Sequence, residues 1–190
     1  MRVLGIDPGT MVTGYGVVGE ESASGGHRIY FIAAGGIKTS AKLPLSKRLR
    51  QIFEGLRQVV EEFQPEAIAV ENTFLSKNFA TALKLGQACG VALLAAELSG
   101  LKVYDYTPAE VKLAVVGHGS AGKVQVQRMV DYLLRGPHPL ITREQLTVNS
   151  QQCPEGLSHH AADALAVAIC HLHGRTIREM VLSNGGLSDQ

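Results

Sequence analysis

The stretch RVLGIDPGTMVTGYGVV, residues 2–18, decides the fold of this chain. Its first apolar run, Arg2–Asp7, ends in Asp-Pro-Gly, a typical turn signal, and a second β-type run follows at Gly14–Val18. A third run of the same kind spans Arg28–Ile37. Short glycine-bearing connections between these runs predict an antiparallel meander.

Beyond the meander, apolar residues recur every three or four positions, and helices alternate with strands. The period predicts an amphipathic helix at Pro44–Phe63, with Arg48 and Glu61 among the charged residues on its solvent face. The later predicted elements are strands at Ala67–Val70 and Leu101–Tyr104 and helices at Asn78–Leu98, Pro108–Val116, Val124–Leu134 and Ser158–His173, the last with Ser158 as N-cap. This order predicts an α/β fold in which a mixed five-stranded sheet, part antiparallel meander and part parallel, is flanked by helices.

Length and composition limit the class of protein. The chain has 190 residues, 45% of them hydrophobic, which suffices for one domain with a substantial core. The 18 Lys and Arg residues against 17 Asp and Glu leave a net charge of +1, so a nucleic-acid surface would have to be a local basic face. No apolar run approaches the length of a membrane span, no signal-peptide pattern precedes the first strand, and three widely spaced cysteines make no disulfide framework. We therefore expect a cytoplasmic protein with no membrane contact.

We expect one domain to span residues 1–174. Within it, residues 136–156 contain three prolines and many polar residues, and they predict a surface loop. Residues 175–190 predict a flexible C-terminal tail. His171 and His173 are interpreted as polar residues at a helix C-terminus, without a functional role.

Three acidic residues lie at positions where an α/β fold of this type can carry catalytic or ligand-binding groups. Asp7 and Glu71 each end an apolar strand, and strand ends of open α/β sheets are where such folds bind ligands. Asp163 lies on an alanine-rich helix, three residues after His160 and therefore on the same helical face. If the three acids converge, their repulsion requires a cation, and oxygen ligands favour Mg²⁺ or Mn²⁺ over zinc.

Each acid also has a plainer explanation. Asp7 is a common residue for capping an Asp-Pro-Gly turn, and Glu71 is an ordinary charge where a strand meets solvent. Asp163 would be favoured by the helix dipole only in the first turn, and it is already in the second. An unpaired carboxylate among alanines is costly to bury, which favours a partner for Asp163.

Basic and aromatic residues near these acids are candidates for contacting nucleic acid. Lys112 and Lys123, with Lys77, would suit backbone phosphates, although for any single lysine a solvated surface residue is the more common explanation. Phe74 follows Glu71 in a polar stretch, where it could stack on an unpaired base or simply pack onto the sheet.

Five segments together are similar to the bacterial RuvC Holliday-junction resolvases. They are GIDPGTMVTGYGVV at 5–18, AVENTF at 69–74, SKNFATALKLGQACGV at 76–91, YTPAEVKLAVVGHGSAGKVQV at 106–126 and HAADALAVAI at 160–169. The resemblance implies a ribonuclease-H-like fold and a homodimer that nicks two strands of like polarity in four-way DNA junctions. It also implies a partnership with the RuvA–RuvB branch-migration complex.

Carried over to this chain, the resemblance implies a metal and catalytic set of Asp7, Glu71, Asp163 and His160. Two Mg²⁺ ions per subunit are implied, with Mn²⁺ able to substitute. Many family members have Asp where His160 stands, so three roles for His160 stay open: metal ligand, base towards water, or support of the leaving oxygen. The implied DNA contacts are base stacking by Phe74 and phosphate binding by Lys77, Lys112 and Lys123. The apolar helix at Asn78–Leu98 is our candidate for the dimer interface.

Other functions also fit parts of the pattern. An Asp-x-Gly-Thr turn before a hairpin cradles phosphates in sugar-kinase-like or actin-like ATPases, but those proteins need two such domains and a second phosphate loop. An RNA-processing or non-catalytic ribonuclease-H-like protein is another alternative. A structural or binding protein would need a different reason for burying Asp163.

Overall fold

The structure is a computed structural model that describes residues 1–23, 26–72, 79–135 and 157–184. The strands of the described part are β1 (Arg2–Asp7), β2 (Val12–Ala23), β3 (Gly26–Lys38), β4 (Ala67–Glu71) and β5 (Lys102–Tyr106). The helices are α1 (Leu45–Phe63), α2 (Phe79–Glu97), α3 (Pro108–Val116), α4 (Lys123–Arg135) and α5 (His159–Asn184).

The strands form one mixed sheet in the order β3-β2-β1-β4-β5. β2 pairs antiparallel with both β1 and β3, whereas β4 pairs parallel with both β1 and β5. The predicted division into an antiparallel meander and a parallel half is therefore confirmed. β1 lies at the centre, which is why Val3, Leu4 and Ile6 are almost completely buried.

Helices cover both faces of the sheet and divide the core into two layers. Ile52 and Leu56 of α1 pack with α2 alanines on one face, beside Leu4 and Val17 of the sheet. The other layer contains α3, α4 and α5, with α5 lying across β1 and β2. Burial of such apolar side chains contributes roughly 25 cal/mol per Å² and holds the layers together.

Glycines in the central strands allow α5 to approach the sheet very closely. A Cβ atom added at Gly5 would lie 2.0 Å from the Ala164 carbonyl oxygen, and one at Gly14 would lie 2.1 Å from the His160 carbonyl oxygen. Both distances are far below van der Waals contact, so these positions require glycine. The start of α5 is consequently held directly against the end of the sheet where β1 terminates.

The last helix begins as predicted but continues further. The Ser158 hydroxyl accepts a hydrogen bond from the Ala161 backbone N–H (3.3 Å), which confirms the predicted N-cap. The helix extends to Asn184 rather than His173, so residues 175–184 of the expected tail are helical. Residues 185–190 and the predicted loop at 136–156 lie outside the described residues.

His171 and His173 lie inside α5, so their interpretation as residues at a helix C-terminus is wrong. The Tyr106 hydroxyl and His171 Nδ1 form a buried hydrogen bond of 2.9 Å. His173 Nδ1 is 2.9 Å from the Ala114 carbonyl oxygen, an acceptor. Both histidines therefore connect α5 to neighbouring elements.

Among the described residues, only α2 is long and apolar enough to cross a membrane by length and composition. The prediction that no apolar run approaches that length is therefore wrong, because many alanines and few charges make α2 apolar over most of its 19 residues. The core helix of a globular protein can have the same length and apolar composition. α2 packs against α1, β4 and β5 through Ala88, Ala92 and Ala95, which are buried.

Candidate active site

Two of the predicted acids lie at the same edge of the sheet. Asp7 ends β1 and Glu71 ends β4, and these strands are parallel neighbours with Ile6 opposite Val70. Because parallel strands end at the same edge, the register places Asp7 beside Glu71. Both side chains are partly buried, and that of Asp7 is 16% exposed.

The first turns of α5 bring His160 and Asp163 to this edge. His160 Nδ1 lies 2.8 Å from Asp7 Oδ2, within hydrogen-bonding distance, and the His160 side chain is about half exposed. Asp163 lies one helical turn further along and is 22% exposed. The close approach at Gly14 explains why a helix residue can reach the carboxylate of a strand. All four predicted catalytic positions are therefore brought together.

The carboxylates act on one another electrostatically. Burial raises the pKa of Glu71 to about 7, and the negative charges of Asp7 and Asp163 add to the effect. Burial also raises the pKa of Asp7, while its hydrogen bond to His160 opposes that rise and the charge of Asp163 supports it. The charged forms of Asp7 and Glu71 are therefore less stable in this cluster than in water.

The positive charges of Lys112 and Lys123 both act on this cluster. Lys123, the first residue of α4, places Nζ 2.6 Å from Asp163 Oδ2. The positive charges of Lys123 and Lys112 both oppose the rise in the Glu71 pKa. Phe74 and Lys77, predicted to contact DNA, lie outside the described residues, so their placement stays a prediction.

A set of hydrogen bonds that the sequence did not predict holds the turn after Asp7. Arg48 donates from Nε (2.9 Å) and Nη2 (2.5 Å) to the Thr10 carbonyl oxygen. The Thr39 hydroxyl donates to the same oxygen (2.7 Å), and the Thr13 hydroxyl donates to the Gly9 carbonyl oxygen (2.8 Å). Arg48 is 9% exposed, so its assignment to the solvent face of α1 is wrong. Helical periodicity missed it because the guanidinium reaches a turn distant in sequence.

The donor chemistry of the cluster fits a hard divalent cation. Three carboxylates, two of them with raised pKa, offer the oxygen ligands that such a cation prefers and repulsion that it would relieve. In the described part of the chain, no three His, Cys, Asp or Glu side chains could hold a metal ion as they stand. Asp163 Oδ2 is paired with Lys123 and Asp7 Oδ2 with His160, so a cation that binds either of these two oxygens would displace that partner.

Known proteins of one family are similar to this chain over most of its length. The family model described as crossover junction endodeoxyribonuclease RuvC matches residues 3–171. A relative of that name from Pelobacter propionicus is 48% identical over 91% of this chain and 86% of its own length, and one from Geobacter sulfurreducens is 43% identical over 96% and 99%.

Solved structures are similar in fold. Thermus thermophilus RuvC in complex with a Holliday junction substrate has a TM-score of 0.75 and 33% identity, with 94% of this chain and 96% of that chain covered. The yeast mitochondrial Holliday junction resolvase has a TM-score of 0.62 and 12% identity, with 94% and 80% covered, and shows a shared fold alone.

Proposed function

This chain belongs to the RuvC family of crossover junction endodeoxyribonucleases, and from that premise we propose that Asp7, Glu71, Asp163 and His160 form its nuclease site. The fold is ribonuclease-H-like, and the activity is Holliday-junction resolution by hydrolysis of phosphodiester bonds, as in DNA recombination and repair. Membership in this family sets aside the ATPase, RNA-processing and non-catalytic alternatives.

One observation carries the proposed site: acids from two adjacent parallel strands and one helix converge at one edge of the sheet. A purely structural protein gains little from an acidic cluster in which burial and neighbouring negative charge raise the pKa of both Asp7 and Glu71. The same arrangement suits a reaction that needs metal ions beside a phosphate. Strained electrostatics of this kind are typical of functional sites.

The family's nucleases are metal-dependent, and we assign Mg²⁺ to this site, two ions per subunit, with Mn²⁺ able to substitute. Bound there by Asp7, Glu71 and Asp163, the ions would activate water and stabilise charge on the reacting phosphate. Asp7 orients the His160 ring through Nδ1 and leaves Nε2 to bind a proton, a water molecule or a metal ion. The products would be 5′-phosphate and 3′-hydroxyl ends.

The DNA is expected to lie over this edge of the sheet. Lys123 contacts the acidic cluster and the positive charge of Lys112 acts on it, which suits both residues to bind the phosphates flanking the cleaved bond. Phe74 is assigned to stacking on an unpaired base and Lys77 to a further phosphate. We also assign to this chain a preference for a short T-rich sequence at the cleavage point.

We assign the dimer interface to α2, whose outer face is apolar. Phe79 and Leu83 near its start, and Leu94 near its end, are 84%, 56% and 52% exposed. An added Cβ at Gly86 or Gly90, between them, would meet nothing within 4 Å. A second copy of the chain would cover this surface by a two-fold contact and present two equivalent sites to a near-symmetric junction.

Two further assignments follow from the family. We propose that the enzyme works with the RuvA–RuvB branch-migration complex and that it acts in the cytoplasm, where chromosomal DNA is accessible. The dimer would then receive junctions whose crossover point has been moved to a preferred sequence.

The test of the proposed function is cleavage of a synthetic four-way junction with a homologous T-rich core. We expect paired symmetrical nicks that require Mg²⁺, disappear with EDTA and are absent on linear duplex of the same sequence. Added ATP should have no effect. Equal cleavage of junction and duplex, or cleavage in EDTA, would contradict the proposal.

A further inference from the structure

Lys123 occupies an unfavourable position for a cation on its own helix. It is the first residue of α4, where the helix dipole presents its positive end. The preceding residue, Gly122, donates its N–H to the Gln125 side-chain oxygen (2.8 Å), so the helix start is already capped without Lys123. The stability of α4 therefore gives no reason for a lysine at this position.

The Lys123 side chain instead reaches across to α5. Its Nζ lies 2.6 Å from Asp163 Oδ2, although the side chain is 55% exposed and Asp163 is only 22% exposed. A half-exposed lysine has a long flexible stem and can return to solvent at little cost. The pair therefore combines a carboxylate fixed in the site with a cation that is free to leave it.

Lys112 provides a contrast within the same site. It acts on Glu71 electrostatically, but less strongly than Lys123 does. Among the ion pairs of the described residues, Asp163 pairs with Lys123 and not with Lys112. The two lysines thus differ in that Lys123 occupies a carboxylate oxygen and Lys112 contributes only a nearby charge.

We propose that Lys123 is a built-in counter-cation that occupies Asp163 in the metal-free enzyme and competes with the divalent ion for it. The inference rests on the proposed function, because it takes Asp163 as a metal ligand. Metal binding displaces the lysine, and the lysine keeps the acidic cluster partly neutralised until the metal arrives. Lys123 therefore weakens metal binding in the absence of DNA.

Binding of Mn²⁺ to the full-length protein without DNA, followed by the electron paramagnetic resonance signal of free Mn²⁺, tests this inference. Removing a unit charge roughly 5 Å from a divalent ion in water is worth on the order of 10-fold in affinity. We expect Lys123→Met to bind Mn²⁺ about 10-fold more tightly than the wild type and Lys112→Met to change affinity by no more than about twofold. Lys123→Arg should stay within about twofold of the wild type because it keeps the charge.

The Asp163→Asn variant distinguishes failure of the counter-cation role of Lys123 from failure of the proposed metal site. If Asp163→Asn weakens Mn²⁺ binding and Lys123→Met strengthens it selectively, the inference stands. If Asp163→Asn weakens binding but Lys123→Met binds no more tightly than the wild type or than Lys112→Met, the counter-cation role is overturned and the proposed metal site survives. If Asp163→Asn leaves Mn²⁺ binding unchanged, the proposed metal ligand itself fails.

Discussion

Replacing Gly14 with alanine should displace the start of α5 while every charged residue of the site is kept. The new Cβ would lie 2.1 Å from the His160 carbonyl oxygen, whereas ordinary contact begins at 3.4 Å, so about 1.3 Å of movement is required. A backbone oxygen cannot rotate away, so the helix itself has to shift. That movement is large compared with the 2.8 Å between His160 Nδ1 and Asp7 Oδ2.

Misplacement of a catalytic group by about 1 Å can reduce the rate roughly 100-fold. We therefore expect Gly14→Ala to lower the single-turnover rate of junction cleavage by about that factor while junction binding persists. Circular dichroism and a thermal melt would establish that the variant is folded at the assay temperature.

Gly36→Ala is the matched control for this substitution. Gly36 pairs with Gly14 across β2 and β3, and its added Cβ would meet the end of the Val12 side chain at 3.0 Å rather than backbone. We expect it to cleave within about threefold of the wild type. A folded Gly14→Ala protein that cleaves junctions at the wild-type rate would refute the reasoning.

Three further predictions concern the turn after Asp7, the pH dependence of stability and the proposed dimer. Arg48→Met removes the charged donors to the Thr10 carbonyl oxygen and should lower the free energy of unfolding by about 2 kcal/mol in urea titrations. An unchanged unfolding midpoint would show that these hydrogen bonds do not stabilise the turn. The pKa of Glu71 is raised from 4.5 to about 7, so in metal-free buffer its contribution to stability is complete below pH 4.5 and is lost as the pH rises through about 7. Melting temperatures should accordingly decline less over that range for Glu71→Gln than for the wild type, and parallel curves would contradict this. Leu94→Glu on the apolar face of α2 should give monomers in sedimentation experiments at concentrations where the wild type and Tyr132→Glu, at a residue 74% exposed on α4, remain dimeric.

The positions of the strand-end acids could be predicted because strands carry a strong local signal. Asp7 and Glu71 each follow an uninterrupted apolar run, and the change from run to acid marks the edge of the sheet. The placement of α5 could not be predicted in the same way. It depends on small residues, whose role becomes clear only when the packing of the helix on the strands is known. Gly5 in β1 and Gly14 in β2 look unremarkable in sequence, yet the close approach that they allow brings His160 to Asp7.

The features that escaped prediction depend on distant contacts. Arg48 looked like a solvated helix residue because helical periodicity shows only which face of α1 a residue occupies. It gives no information about a turn 38 positions away, whose carbonyl oxygen the guanidinium binds. Gly174 follows His173 and resembles a helix stop, but α5 continues through it. The pairing of Lys123 with Asp163 spans 40 positions and has no local signature.

The proposed nuclease site is built on the carboxylates of Asp7, Glu71 and Asp163. Its most direct test is the single-turnover rate of junction cleavage in saturating Mg²⁺ by Asp7→Asn, Glu71→Gln and Asp163→Asn, compared with Asp105→Asn, whose exposed side chain lies on the adjacent strand β5. We predict that each of the three variants binds the junction and cleaves it at least about 1,000-fold more slowly, while Asp105→Asn cleaves at the wild-type rate. Wild-type cleavage by any of the three variants would contradict the claim.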